Sequence, residues 1–537
     1  MERQQNAGLS RSIAVRRGAK CVVDSTDGCP DEAAGWRRRP PTDGAGGESF
    51  SLGKRGAACK YRCTMNEVDS STPVQHRLPR QLGLRDLVLT QIVCVVGSGW
   101  VGVAAGLGPA ETLFWVGAMV VFYVPMAASV IVLNRVMPLE GGLYVWAREA
   151  FGDLFGFLTA WNLWVYGIAV TATILYAIPT ELSYMIGPAA AGLPENRPAA
   201  MAIVTAAVAG IALAALRGLE VGKWINNIGG MAMLMVFAVL ILLPLWSVAR
   251  HEPLRAAPFA LARPPLDMRT LALFGEMLFG ALCGLEYIAI FAGESRQPAR
   301  SIARSVWISS PMICAMFILG SGSVVAYIAP RAVDYIAPIP QTLRAALGHA
   351  GVGNLFAAGA IFLLQLRLLG AASYAFTGVT RLPMTAGWDH LVPAWFTRLH
   401  VRRRTPSNSI VCAAGLVFVM IVLAGLGVHA QEAFQLLTNA GLTHYELAYL
   451  AMFAVPLFGR AGLRRHLPGW FRVTSMAGFC STAFSLLISA YPFVRVVNAG
   501  GYAARIVGTV LASNCAGLVF YGLRRPAGKR PELEAES

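Results

Sequence analysis

Two pairs of glycines and a handful of ionisable side chains interrupt stretches that are otherwise apolar. Residues 95–102 read VVGSGWVG, so Gly97 and Gly99 flank Ser98 and Trp100 follows, midway along DLVLTQIVCVVGSGWVGVAAGLG. A second stretch, LALFGEMLFGALCGLEYIAIFAG, carries Phe279, Gly280, Ala281, Cys283 and Gly284 near its centre and then Glu286. Glycine costs a helix about 1 kcal/mol relative to alanine, so two of them at a helix midpoint invite unwinding. Unwinding frees backbone N–H and C=O groups, which in lipid cost several kcal/mol each unless they line a protein cavity. There they bind: a half-helix N-terminus presents N–H groups to a carboxylate, and a half-helix C-terminus presents carbonyls to an ammonium. The chemistry expected of these residues is recognition of a zwitterion rather than covalent catalysis.

Three further sites carry charge or titrate at membrane depth, where such groups are expensive and by default functional. Glu286 is a substrate or proton site, or a structural carboxylate bonded to freed N–H groups. Arg367, in FLLQLRLLGAASYAF, is a buried cation that neutralises Glu286 or packs a polar seam with Gln365. His444, Tyr445 and Glu446, in TNAGLTHYELAYL, form a proton relay or an outer gate, or a satisfied bundle interface. Trp161, Asn162 and Trp164 are expected to pack the core.

The elements that position these residues follow from composition. The chain has 537 residues, is 55% hydrophobic and only 14% charged, and has a mean hydropathy of +0.54. That is far too little charge for the surface of a soluble protein of this size. The long apolar runs therefore read as helices of a polytopic membrane protein. Twelve spans are expected, at about 84–107, 111–134, 154–184, 199–216, 224–248, 270–293, 305–329, 353–379, 408–427, 432–457, 474–494 and 502–523. An even number puts both termini on one side. Arginines such as Arg135, Arg148, Arg217, Arg398, Arg402, Arg403, Arg404, Arg524 and Arg525 then fall on that same side, which makes it cytoplasmic by the positive-inside bias. The net charge of +16 is accounted for by such loops, without a nucleic-acid partner. The partners are the lipid bilayer of the cell membrane and a small-molecule substrate.

Residues 1–80 are polar, basic and rich in Gly and Pro, and are expected to be a disordered cytoplasmic tail; Met65 is a second plausible start. Residues 81–457 carry ten of the expected spans, 458–523 the last two, and 524–537 a short cytoplasmic tail. The tail cysteines Cys21, Cys29, Cys59 and Cys63 lack good zinc spacing, so no metal and no cofactor are expected. PLEGGLYVWAREAF, residues 138–151, is amphipathic and reads as an interfacial helix before the third span. Glu294 and Arg300, in GESRQPAR, read as an inner latch or as surface caps.

The first and sixth spans are five apart, the placement expected of corresponding broken helices in an inverted repeat. At this point the sequence resembles the amino acid–polyamine–organocation (APC) permeases. The resemblance rests on GSGWVG, on PLEGGLYVWAREAFGDLFGFLTAWNLW, on GALCGLEYIAIFAGESRQPARSIARS and on TRLPMTAGWDHLVPAWFTRLH, which extend over most of the chain after residue 80. It implies an all-α fold with a five-plus-five inverted-repeat core, broken helices 1 and 6, two added helices, and alternating access. It implies that Gly97, Ser98 and Gly99 receive a substrate carboxylate and that backbone near Phe279, Gly280 and Ala281 receives the amino group, with Trp100, Cys283 and Gly284 close by. Glu286, Arg367, His444 and Tyr445 are then the coupling or gating candidates, and the resemblance implies that Arg367 lies where helix eight packs on helix one and some members bind sodium, as a fixed cation in that ion's place.

The sequence departs from the family pattern twice. Gly280 stands where members often carry an aromatic cap; Trp100 or Phe279 compensates, or the pocket is roomier. Met233 stands where some members carry a coupling lysine, which leaves proton, sodium or exchange coupling open. The expected activity is secondary active transport of amino acids. The alternatives are a polyamine or amine exchanger, and a non-transporting nutrient sensor. ATP-driven transport would need a phosphate-binding loop, and a membrane enzyme would need clustered His or Asp ligands; neither pattern is present in the sequence.

Overall fold

The structure is a computed structural model. It describes short strands within 13–63 and, beyond them, residues 83–137, 142–256, 262, 266–286, 298–384, 394–400, 405–465, 467–496 and 498–523. The chain divides into two units, 1–77 and 78–537. In the first, β1 (Ile13–Ala14), β2 (Lys20–Val22), β3 (Ser49–Lys54) and β4 (Ala57–Cys63) form one antiparallel sheet in the order β1-β2-β4-β3. Phe50 pairs with Tyr61 in the β3–β4 register. These strands stand where the sequence pattern leads one to expect no regular structure. The alternation of SFSLGK, two residues before AACKYRC, is a local hairpin signal, masked by the polar, Gly-rich surroundings.

The described part of the second unit is helical. In chain order its helices are α1 (Leu84–Val95), α2 (Ser98–Ala105), α3 (Glu111–Ala118), α4 (Val124–Val136), α5 (Leu143–Phe151), α6 (Asp153–Tyr176), α7 (Ile178–Ile186), α8 (Arg197–Arg217) and α9 (Leu219–Ala249). They continue as α10 (Met268–Glu276), α11 (Pro298–Tyr327), α12 (Pro338–Leu347), α13 (Gly351–Arg381), α14 (Ser407–Gly425), α15 (Ala430–Phe458), α16 (Gly469–Ile488) and α17 (Ala499–Gly522). A π-helical turn, Met119–Tyr123, joins α3 to α4, so the two run as one span.

Among the described residues nine helices are long and apolar enough to cross a membrane, and α1 with α2 makes a tenth, bent by 47°. Two of the twelve expected spans fail that test for identifiable reasons. The sixth runs out of the described residues after Glu286, and α15 carries Glu432, Gln435, Asn439, His444 and Glu446 in its interior. Large apolar side chains stand exposed along the outer faces of the long helices, among them Leu245, Trp246, Leu355, Phe356, Leu487 and Val519. In water such a surface is an association hazard; against acyl chains it is the expected one.

Close packing inside the bundle relies on small residues. Gly229 on α9 and Gly370 on α13 face each other so closely that a Cβ on either would lie 3.2 Å from the other's Cα. This is a small-residue helix crossing of the kind that draws membrane helices together. Several buried polar groups are satisfied by hydrogen bonds between helices. The Trp115 indole donates to Ser321 Oγ at 2.9 Å, and Ser321 donates to Glu111 at 2.7 Å. Asn162 and Asn514 exchange amide hydrogen bonds at 2.8 and 3.1 Å, tying α6 to α17. The Trp161 and Trp164 indoles donate to the carbonyls of Ser513 and Val379, so this aromatic group packs the core, as its apolar setting implies.

The amphipathic segment before α6 is helical as expected. α5 buries Leu143, Tyr144, Val145, Trp146, Ala147 and Ala150 and leaves Glu149 exposed. Gly152, at φ 99°, makes the one-residue corner into α6, a conformation that disfavours any side chain. Residues 138–141 and Glu294 lie outside the described residues, as does the side chain of Arg300, and so does the latch expected of that pair.

Candidate substrate site

The first break falls at Val96–Gly97. α1 ends with Val96 N–H donating to Ile92 O, and α2 starts afresh at Ser98 with Gly97 in extended backbone as its cap. Glycine supplies no capping side chain, so the first-turn N–H groups of α2 are open to a ligand. The second break follows α10. A π-helical turn, Met277–Ala281, loosens the helix, and regular structure ends there. Gly284 then turns the chain at φ 113°, where its N–H meets Tyr449 Oη at 3.1 Å and Glu286 Oε2 at 3.3 Å.

One cavity, of about 110 Å³, receives both breaks. Gly97, Ser98, Gly99 and Trp100 line it from the first, and Gly280 and Cys283 from the second. Trp100 links the two. A Cβ on Gly97 would lie 2.7 Å from the Trp100 ring, and a Cβ on Gly280 would overlap the far edge of the same ring and sit 2.9 Å from Leu442. The indole thus occupies the space that an aromatic residue at 280 would fill. Phe279 is fully buried and packs instead on Phe122, Tyr445 and Tyr449.

Phe279, Ala281, Gly284 and Glu286 do not line the cavity. The carbonyl of Phe279 accepts from Leu282 N–H at 3.2 Å and Cys283 N–H at 3.0 Å, and that of Gly280 accepts from Cys283 Sγ at 3.4 Å. Glu286 sits behind the site, where the hydroxyls of Tyr445 and Tyr449 both donate to its carboxyl group. Tyr445 in turn stacks on Tyr166, ring centroids 3.7 Å apart, and Tyr166 lines the cavity.

The side chains of the triplet His444-Tyr445-Glu446 diverge. Successive residues of a helix point about 100° apart, and these three go separate ways. His444 Nδ1 bonds Ala440 O at 2.7 Å, Tyr445 reaches Glu286, and Glu446 accepts from Ser485 on α16.

Arg367 lines the cavity from α13 and donates through Nη2 to Val96 O at 2.8 Å, the carbonyl freed where α1 ends. The acid in its field is Glu181 on α7, and the contacts of Glu286 run instead to the two tyrosines. Glu181 is wholly buried and accepts from Ser98 Oγ at 3.2 Å. Ser98, Glu181 and Arg367 therefore form one polar group around the first break. Neither Glu181 nor Glu276, which lines the cavity from α10, stands out among the sequence motifs. The rule that flags Glu286 applies to both, since AIPTELSYMI and LALFGEMLFG each hold one acid in an apolar run.

Above the cavity, the loop between α11 and α12 is pinned by Asp334. Tyr184 Oη and Gln431 Nε2 donate to its carboxylate at 3.1 and 2.8 Å, and the N–H groups of Ile336 and Ala337 add two more bonds. Burial pushes the Asp334 carboxyl above the usual carboxylate range, opposed by those donors. The same loop brings Tyr335 to the cavity wall, where Arg269 Nη2 holds its hydroxyl at 2.8 Å. Among the described residues no group of His, Cys, Asp or Glu is arranged to hold a metal ion.

A bundle of membrane-length helices whose interrupted helices share one internal cavity defines a multi-pass membrane transport protein. The chain belongs to the amino acid permease family, whose model matches residues 82–513, within the APC group that the motifs resemble. Its class is thus transport of amino acids or related organic substrates. It is similar to an uncharacterized transporter of Mycobacterium tuberculosis, 25% identical over 85% of this chain and 94% of the relative. A methylthioribose transporter of Bacillus subtilis is 25% identical over 63% of this chain and 75% of its own. A branched-chain amino acid permease of the same organism is 23% identical over 64% and 74%.

Proposed function

We propose that this protein carries amino acids across the cell membrane by alternating access, through twelve spans with both termini cytoplasmic, and that the substrate lies in the cavity between the two breaks. The observation that carries the reading is that both interrupted helices open onto one cavity and share the Trp100 ring. The α-carboxylate sits at the first turn of α2, against the N–H groups of Ser98, Gly99 and Trp100, and the α-ammonium faces the backbone around Gly280. Helix-end partial charges of opposite sign suit the two ends of a zwitterion. Relatives named for a thiosugar and for branched-chain amino acids indicate that the family frame alone does not choose the cargo.

Ser98 is buried but lines the cavity, so Ser98→Leu fills the carboxylate position. The variant is expected to insert and remain monodisperse yet lose amino acid uptake in proteoliposomes. Uptake at the wild-type rate by inserted Ser98→Leu protein removes this segment from the site. Binding without flux in the reconstituted wild type would instead indicate a sensor.

A further inference from the structure

One wall of the cavity, built by α10 and α15, is acidic and unsatisfied. Glu276 lines the cavity and is 4% exposed, and neither of its carboxyl oxygens has a hydrogen-bond partner. The Asn439 amide lies beside it and gives one of its two hydrogens to Ser489 O at 2.7 Å, outside hydrogen-bond distance of the Glu276 oxygens. Gln435, on the same wall and 2% exposed, has both its amide oxygen and its amide nitrogen unpartnered. Among the described residues no basic side chain faces Glu276, and its charged neighbour is another acid, Glu446. The cation that does line the cavity, Arg367, already serves Val96 O and the field of Glu181.

Buried polar side chains without partners are rare, because each forfeits its hydration for nothing. Two such groups on one cavity wall mark the place of a missing donor. A carboxylate and an amide oxygen on one cavity wall match a guanidinium or a primary ammonium, which donates to both in charge-assisted hydrogen bonds. Building on the permease reading above, we propose that the site takes dibasic amino acids, with the carboxylate at the α2 turn and the side-chain cation held by Glu276 and Gln435.

The test compares L-arginine with L-citrulline, which keeps the shape and removes the charge, by calorimetric titration of the purified full-length protein in detergent. Arginine is expected to bind at least about ten-fold more tightly than citrulline, the discrimination a charge-assisted bond supplies. Glu276→Gln is expected to erase that difference while still binding citrulline, which also shows that the variant is folded. Should Glu276→Gln not yield monodisperse protein, Gln435→Met is expected to narrow the preference in the same way. Equal binding of the two ligands by wild type overturns the inference and leaves the permease reading standing. So does an arginine preference that survives both substitutions. If agmatine, which lacks the carboxylate, binds as tightly as arginine, dibasic amino acids are overturned as the class. If arginine, citrulline, leucine and agmatine all fail to bind monodisperse protein, the permease reading falls and the inference with it.

Discussion

At the scale of single residues, the first break is a small electrostatic device. Unwinding at Val96–Gly97 strands a carbonyl, and Arg367 caps it from α13 at 2.8 Å. A hydrogen bond from a charged donor to a buried carbonyl is worth about 1.5–3 kcal/mol, and removing the donor leaves that carbonyl uncompensated. A bound sodium ion at the same carbonyl would sit beside a fixed positive charge, which is strongly unfavourable at low dielectric. Transport by the wild type is therefore expected to be unchanged when choline replaces sodium. Arg367→Gln is expected to cut uptake about ten-fold or more and to gain partial sodium dependence as the position empties. Strong sodium-driven accumulation by wild type in proteoliposomes would reduce Arg367 to a structural role. The glycine pairs, Ser98 and Arg367 are legible in the sequence because each breaks an apolar run. Their partners are not: which acid meets which cation depends on how α7, α10 and α13 are rotated, and a sequence specifies the residue types but not those rotations. Neutralising Glu286 is one expectation for Arg367, and in the fold the contacts of Glu286 run to Tyr445 and Tyr449 while Arg367 reaches Val96 O.

At the scale of elements, what stands over the cavity is a loop rather than a span. The segment between α11 and α12 lies against α2, where a Cβ on Gly99 would meet Tyr335 O at 3.2 Å and one on Gly102 would meet the Pro338 ring at 2.7 Å. Asp334 fastens that loop to α7 through Tyr184 and to α15 through Gln431. Because burial raises the folded-state pKa of Asp334 above its unfolded value, the folded protein binds the proton more tightly than the unfolded chain. The linkage then runs opposite to that of an ordinary salt-bridged aspartate. Stability is gained as pH falls through the folded pKa and levels off below the unfolded one. Asp334→Asn lacks this dependence. The apparent melting temperature of the wild type is expected to rise relative to that of Asp334→Asn on acidification across that window. A gap between the two that stays constant or shrinks would show that the aspartate is not the titrating group. In sequence this loop reads only as PRAVDYIAPIPQ, a connection with turn residues. Its place over the cavity comes from the long-range hydrogen bonds of Tyr184, Gln431 and Arg269, which no local pattern encodes.

At the scale of the whole molecule, the apolar pattern carries most of the fold, since the long helices fall within a few residues of the expected spans. α8, α13 and α14 are Arg197–Arg217, Gly351–Arg381 and Ser407–Gly425 against expected spans at about 199–216, 353–379 and 408–427. Lipid demands internally satisfied backbone, so a long apolar run has few alternatives to a helix. The polar amino-terminal stretch is under no such constraint, and there a local hairpin signal is invisible to hydrophobic period. The division of the chain leads to the last expectation. Residues 78–537 form a unit of their own that contains both breaks, the cavity, Arg367 and the Asp334 knot, and the family match begins at residue 82. Every residue that lines the cavity or pins the loop above it lies inside that unit. A protein starting at Met65 is therefore expected to insert and to transport at the full-length rate when membrane abundance is matched. Its ligand affinity is expected to be unchanged as well, because none of the cavity residues is removed. If the shortened protein kept its affinity but lost most of its flux, residues 1–64 would act on the conformational cycle rather than on the site. If affinity itself fell, the cavity between the two breaks would not be the whole of the binding site.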